Sequence, residues 1–323
     1  MDLLPTPEQE EIVTSIASVI AGNHTTGEPL TDALWEAAAA QGWFGLGLEE
    51  ALGGVGYSLA EEVLLFTELG RAAVPGPFLA TVLASRLAAE AGEADLTQQL
   101  ISGSDRVGLA ERWDDDRFSV LDADGATMAL IVDGERVTLV DLGGVALDSI
   151  PSFDTLVPVS LAIDLHESPA LATAPDGPAL LRRGALLSAA LLAGIAKATT
   201  DQSVCYGIDR EQFGQPVGGF QAVKHRCADM ATRAEVAACQ VLYAALAERD
   251  GRPDAEFHVH AARVVAARAA VENSQINVQN HGGIGFTWEH TAHRYVTRSR
   301  VYASVLGTTH THLGATLAAT APQ

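Results

Sequence analysis

The run VQNHGGIGF, Val278 to Phe286, decides between two folds. As a glycine-rich phosphate loop it would mean an α/β dinucleotide-binding protein, and as a helix end it would mean a helical one. A dinucleotide fingerprint follows a strand and opens a helix inside a βαβ unit, because the pyrophosphate sits on the helix N-terminus. Here the glycines instead follow a long helical pattern, from about Ala255 to Asn280, and glycine ends a helix by taking a positive φ. Gly53 to Gly56 is likewise a loop outside any βαβ unit. The nucleotide-binding α/β fold is excluded.

Outward from this run the chain stays helical. Val223, Cys227, Met230, Ala234, Ala237 and Val241 step by three and four, as a seam packed on other helices does. Gly251, Arg252 and Pro253 separate that helix from the next. Near the N-terminus Thr6 caps a helix whose first turn holds Glu8, Gln9 and Glu10, and whose buried face is Ile12, Ile16 and Ile20. A second helix covers Leu34 to Gln41 and stops at Gly42, and a third runs from about Leu59 to Ala72. Pro75, Gly76 and Pro77 break it before a further helix near Phe78.

Between Asp105 and about His166 the period shortens. Ala129 to Val132, Val137 to Val140 and Val157 to Ile163 have the composition of short strands, with a hairpin turn at Asp133 and Gly134. The expected fold is mainly α with an inserted small β domain. It divides into an N-terminal helical domain (1–103), a reduced β middle domain (104–170) and a C-terminal helical bundle (171–323).

Composition agrees. Hydrophobic residues make up 48% of the 323 residues and aromatics only 6%, which favours close-packed, alanine-rich helices. A net charge of −21 excludes a nucleic-acid partner, which needs a clustered cationic face. Cys205, Cys227 and Cys239 form no CxxC pair and are expected as buried helical thiols in a reducing cytosol. Met1 to Glu10 lacks a basic and apolar leader, and the longest apolar run, Gly184 to Ala196, is too short to span a bilayer. A soluble cytoplasmic protein without a membrane span is the expectation. His258 and His260 diverge on a helix, as do His310 and His312 unless the chain is extended there, and neither HExxH nor GxSxG occurs, so no metal site and no hydrolase site is expected.

Two polar signals remain. In Asp209 to Pro216, Arg210 offers a fork for a pyrophosphate and Phe213 a flat surface for a base or sugar. A helix C-terminus, with Arg210 facing the dipole and Phe213 packed, accounts for the same residues. In the second, Gln279 both donates and accepts beside glycines that let backbone approach a ligand, and a plain glycine helix stop accounts for it too.

Taken together and in order, these segments resemble the acyl-CoA dehydrogenase family. Leu34 and Trp35 through Gly42, Trp43, Phe44, Gly45, Leu46 and on to Gly56 are similar to its first helical domain, as are Glu68 to Arg71 with Pro75 to Pro77. Asp209 to Pro216 with Gln221 resembles its Arg-x-x-Phe-Gly segment, and Val278 to Phe286 its Gln-x-x-Gly-Gly turn. Arg294, Tyr295 and Arg298 match the segment that follows. The resemblance implies a helical N-domain, a β middle domain and a four-helix bundle, assembled as dimers or tetramers. It implies α,β-dehydrogenation of an acyl-CoA, with a Glu base, FAD as hydride acceptor and electron transfer flavoprotein downstream. It further implies that Arg210, Phe213, Gln221, Gln279, His281, Gly282 and Gly283 hold the adenosine pyrophosphate end of an FAD seated mainly on a partner.

This chain departs from the family where the chemistry sits. One common base is a Glu before a Gly-Thr; here Leu306 precedes Gly307 and Thr308. The other stands on the first bundle helix beside an Arg; here that position is Gly184, beside Arg182 and Arg183. Neither residue accepts a proton. The stretch that holds the flavin ring corresponds to Gly108 through Asp114, without the family's hydroxyl donors, and its Trp-Ile-Thr strand is not recognisable.

No catalytic residue is therefore expected, nor a complete flavin pocket. The chain resembles the short, non-catalytic partner in heteromeric α2β2 acyl-CoA dehydrogenases of steroid catabolism. It would share FAD with a homologous catalytic subunit that carries the acyl-CoA. A self-sufficient enzyme using Glu289 or Asp201 as base, and a scaffold without flavin contact, are the alternatives.

Overall fold

A computed structural model describes residues 3–322. The N-terminal segment holds α1 (Pro7–Asn23), α2 (Asp32–Ala40), α3 (Leu59–Arg71), α4 (Phe78–Glu90) and α5 (Ala94–Ile101). Local chemistry sets their ends. Gln9 N donates to Thr6 Oγ1 at 3.2 Å while Thr6 N donates to Gln9 Oε1 at 3.0 Å, a reciprocal cap that starts α1. Ile16 and Ile20 are buried, and Ile12 packs on the same core. Gly42, in the left-handed region at φ +72°, turns the chain after α2.

A seven-stranded sheet follows: β1 (Val107–Arg112), β2 (Arg117–Leu121), β3 (Met128–Asp133), β4 (Arg136–Asp141), β5 (Leu147–Ile150), β6 (Val159–Ile163) and β7 (Ala170–Thr173). Its order is β5-β6-β2-β1-β3-β4-β7, parallel only between β1 and β3. The sheet is larger than its alternating runs indicate. β1 ends in charged residues and β2 starts in an acidic stretch, while β5 and β7 are short edge strands with exposed residues, so none shows a clean apolar run. The position 170/171, where sequence divides sheet from bundle, falls inside β7. Alternation sends Val107 and Leu109 of β1 to the helices and Ala110 to a second core beneath the sheet. By the same period Glu111 faces the helices.

The C-terminal segment consists of α6 (Gly177–Asp209), β8 (Glu211–Gln212), β9 (Gln215–Pro216), α7 (Gln221–Arg249), α8 (Ala255–His281), α9 (Ala292–Tyr302) and α10 (Thr309–Ala318). α6 is the central element, and 78% of its most apolar 18-residue window is buried inside the protein, although by length and composition alone it could cross a membrane. A Cβ on Gly70 would lie 1.9 Å from Leu191 O and one on Gly194 2.0 Å from Thr67 O, so α3 and α6 cross backbone to backbone. Arg298 ties the three segments together: Nε donates to Asp154 Oδ2 at 2.6 Å, and Nη1 donates to Ala73 O at 2.9 Å and Val74 O at 2.7 Å, all buried.

The seam on α7 is buried from Met230 to Val241, but Val223 and Cys227 are only partly covered. Cysteine burial is corrected accordingly: all three thiols are helical, yet Cys205 and Cys239 are exposed and Cys227 is half-buried. Cys205 and Cys227 lie toward the bundle end where α6 finishes and α7 begins.

Candidate functional site

α6 and α8 both finish where α7 starts, because the three helices run alternately up and down. Side chains join the ends. The Tyr206 ring on α6 lies 4.4 Å from the His281 ring on α8, and Asn280 Nδ2 stands 3.8 Å from both Cys227 Sγ and Met230 Sδ of α7.

Arg210 caps α6: its N–H donates to Tyr206 O at 2.9 Å, while the residue is exposed and makes no ion pair among the described residues. β8 and β9 then form a hairpin whose tip, Phe213 and Gly214, has φ +55° and +80°. Two successive positive φ values suit glycine and strain a bulky residue by about 1–2 kcal/mol. Packing does not hold Phe213 there, since it is 93% exposed and among the described residues its ring meets only Phe220, edge-on, at 6.2 Å. The packed-Phe213 alternative is therefore wrong. Gln221 opens α7 immediately after Phe220 and is exposed.

On α8, Gln279 is exposed and Gly282, at φ +64°, ends the helix with its N–H directed to Gln279 O and Val278 O. Gly283 is different: its φ is ordinary and nothing lies within 4 Å of a Cβ placed on it, so nothing inside this chain requires glycine there. His281 turns inward. It is 4% exposed, its Nδ1 pairs with Asn277 O at 2.8 Å, and its ring also lies 4.2 Å from His290; burial lowers its pKa.

Arg210, Phe213, Gln221, Gln279 and Gly283 thus share one exposed end, with Gly282 turning the chain and His281 packed behind. Phe286, Ile208 and Trp288, the last 78% exposed, add apolar surface to the same end. Sequence periodicity missed these three because they lie at a helix end and in glycine-rich turns, outside any seam. A cation, an amide and an exposed ring gathered at one end are groups of the kind that bind phosphate and a flat base. Among the described residues, no group of three or more His, Cys, Asp or Glu is placed to hold a metal.

The two positions matched to a base lie against each other. A Cβ on Gly184 would stand 2.6 Å from Leu306 Cδ1 and 2.9 Å from Leu83 Cδ1. Leu306 is itself left-handed, at φ +56°. Buried Arg263 grips its loop, with Nη2 donating to Tyr302 O at 2.5 Å and Val305 O at 2.9 Å, and His312 Nε2 donates to Leu306 O at 3.1 Å. Burial and the Arg263 charge push His312 down to about 4, and burial pushes Arg263 down to about 10. Arg183, beside Gly184, is taken up by Glu62 at 2.5 Å, and Arg182 by Glu248 at 3.4 Å.

One carboxyl does stand nearby, which corrects the sequence-based picture of a loop without one. Glu111 Oε1 accepts from Leu306 N at 3.0 Å, and desolvation raises its pKa to about 7. The alternative bases lie elsewhere. Asp201 is paired with Lys197 at 2.6 Å and lines a separate cavity with His24 and Tyr295, and Glu289 is exposed in the turn before α9.

Comparison with known proteins identifies the family to which the fold belongs. Residues 8–103 match the acyl-CoA dehydrogenase N-terminal domain and residues 179–320 the acyl-CoA dehydrogenase C-terminal domain. The chain is 30% identical over 311 residues to acyl-CoA dehydrogenase IpdE2 of Mycolicibacterium smegmatis, covering 93% of this chain and 95% of that one. It is 33% identical over 290 residues to acyl-CoA dehydrogenase FadE34 of Mycobacterium tuberculosis, covering 83% of this chain but only 39% of that longer protein. Among solved structures, the Tcur3481-Tcur3483 steroid ACAD variant superposes with a TM-score of 0.83 at 25% identity, over 96% of this chain and 98% of that one. A chain of the ChsE4-ChsE5 complex from Mycobacterium tuberculosis has the same fold, with a TM-score of 0.83 at 22% identity over 100% of both chains.

Proposed function

This chain belongs to the acyl-CoA dehydrogenase family, and on that premise we propose that it is the non-catalytic subunit of a heteromeric, FAD-dependent acyl-CoA dehydrogenase. The carrying observation is the unpartnered bundle end, with Phe213 held in a strained turn and exposed. Strain that internal packing does not explain points to a contact outside the chain.

In this account Arg210 binds the pyrophosphate, Phe213 lies against the adenosine, Gln221 and Gln279 supply hydrogen bonds, and Gly282 and Gly283 let backbone approach. His281 orients the turn from behind through Asn277 and Tyr206. When bound, FAD accepts the hydride from the β carbon of the acyl-CoA. The proton acceptor and the acyl-CoA belong to a homologous partner in an α2β2 assembly, because Gly184 and Leu306 fill the matching places here with hydrocarbon.

Neighbours described as a steroid ACAD and as a two-component complex support a steroid-derived acyl group and a paired subunit. In FadE34 more than half of the polypeptide lies outside the match, room for a second unit in the same chain. Unpaired cysteines suit a cytoplasmic assembly. Electron transfer flavoprotein as acceptor rests on the family alone.

Glu111 is the one feature that favours the self-sufficient alternative, and a carboxyl half-protonated near pH 7 is poised for proton transfer. Against it stand the missing hydroxyl donors of the ring pocket. The Arg210→Ala variant, co-purified with the partner, tests the proposal: the complex assembles and its flavin content drops. Unchanged flavin retention would instead favour a scaffold.

A further inference from the structure

The C-terminal helix α10 is anchored by a histidine rather than by apolar packing. Among its described residues only His312 is buried, while Leu313 is 48% exposed and Leu317 82% exposed. The His312 ring holds two neighbours at once: Nε2 lies 3.1 Å from Leu306 O, and Nδ1 lies 3.0 Å from Nδ1 of His260 on α8.

These contacts fix where the hydrogens are. A carbonyl only accepts, so His312 Nε2 carries one; the neutral ring then leaves its Nδ1 bare, and His260 Nδ1 must donate to it. His260 Nε2 is left bare and faces Glu256 Oε1 at 3.9 Å. A first added proton therefore lands on His260 Nε2, beside a carboxylate, and breaks nothing. A second has only His312 Nδ1 to take, and it turns the bond between the rings into two N–H groups facing each other.

The surrounding charges act on the pair unequally. Arg263 on α8 repels charge on His312, and Arg182 on α6, itself paired with Glu248, repels charge on His260, where Glu256 opposes it. His310 is exposed and diverges from His312 on α10. Burial, Arg263 and His260 together hold His312 down to about 4, from an ordinary value of 6.5. Glu111 on β1 meets the same loop through Leu306 N and pulls the other way, because burial makes a proton on its carboxyl favour the docked loop.

We propose that the His260–His312 pair is an acid-sensitive latch, which keeps α10 and the Leu306 loop docked while His312 Nδ1 is bare and releases them together when that nitrogen takes a proton. A released His312 titrates at its ordinary value, so docking weakens as pH falls below about 6.5 and goes on weakening to about 4. Release also takes Leu306 away from Gly184. The device goes beyond the proposed subunit role and needs neither flavin nor partner.

Hydrogen–deuterium exchange of the full chain, read in peptides covering 302–318, tests it. His312→Gln is the reference, because its amide donates to Leu306 O, accepts from His260 Nδ1–H and does not titrate. The protection of the native chain relative to this variant is expected to fall about tenfold between about pH 7.5 and about pH 5.5, while α6 peptides show no such change. Glu111 is common to both chains and drops out of the ratio. His260→Gln can turn its oxygen toward a protonated His312, so it should lose most of the acid sensitivity, and it replaces the first variant as reference should His312→Gln fail to dock α10. A ratio that stays constant with pH, an equal loss of protection in α6, or full acid sensitivity in His260→Gln would overturn the latch.

Discussion

Leu306 reaches across to Gly184, its Cδ1 only 2.6 Å from where a Cβ on that glycine would stand. The two positions that the resemblance matches to a catalytic base are thus one contact here, closed by a leucine side chain. Gly184→Ala should overpack this contact and cost about 1–3 kcal/mol in urea unfolding. Combining it with Leu306→Ala should recover about 1 kcal/mol relative to the sum of the single variants. Strict additivity would mean that the two side chains do not compete for the same space.

Glu111 makes stability depend on pH. Its folded pKa of about 7 lies above the ordinary value of 4.5, so the folded state holds the proton more tightly than the unfolded chain does. The stabilising contribution is complete below about pH 4.5, shrinks as pH rises, and is gone above about pH 7, with an upper limit of about 3 kcal/mol. Unfolding free energies of the native chain and Glu111→Gln, compared across this window, should diverge with that sign. Parallel curves would place the carboxyl in water.

Arg298 and Asp154 form a buried ion pair that joins α9 to the loop before β6, while Arg298 also reaches the turn after α3. Asp154→Ala should cost about 3–5 kcal/mol, because it strands a buried guanidinium. Thermal unfolding of that variant measures it directly. A loss below 1 kcal/mol would show that the two carbonyls alone satisfy Arg298.

Phe213 should separate stability from function. Phe213→Gly relieves the positive φ, so the chain by itself should be unchanged or about 1 kcal/mol more stable. The complex carrying it should nevertheless lose flavin on dilution. Flavin retention equal to that of the native complex would remove Phe213 from the cofactor contact.

Much of this was legible in the sequence. The seam on α7, the cap at Thr6 and the breaks at Gly42 and Pro75 to Pro77 are local chemistry and appear in the structure. β1 was not, because Glu111 and Arg112 are polar for tertiary reasons: one reaches the Leu306 loop and the other clasps Asp133. Phe213 and Gly283 could be singled out by type, yet only coordinates show that one is strained and exposed and that nothing inside the chain requires the other. His281 shows the converse: placed by sequence among cofactor contacts, it packs behind the turn.

The most direct check is to purify this chain alone and together with a homologous acyl-CoA dehydrogenase subunit, and to record bound flavin and acyl-CoA oxidation for each. The lone chain should carry no flavin and oxidise nothing, whereas the pair should do both. Stoichiometric flavin and turnover in the lone chain, abolished by Glu111→Gln, would contradict the account and make Glu111 its base.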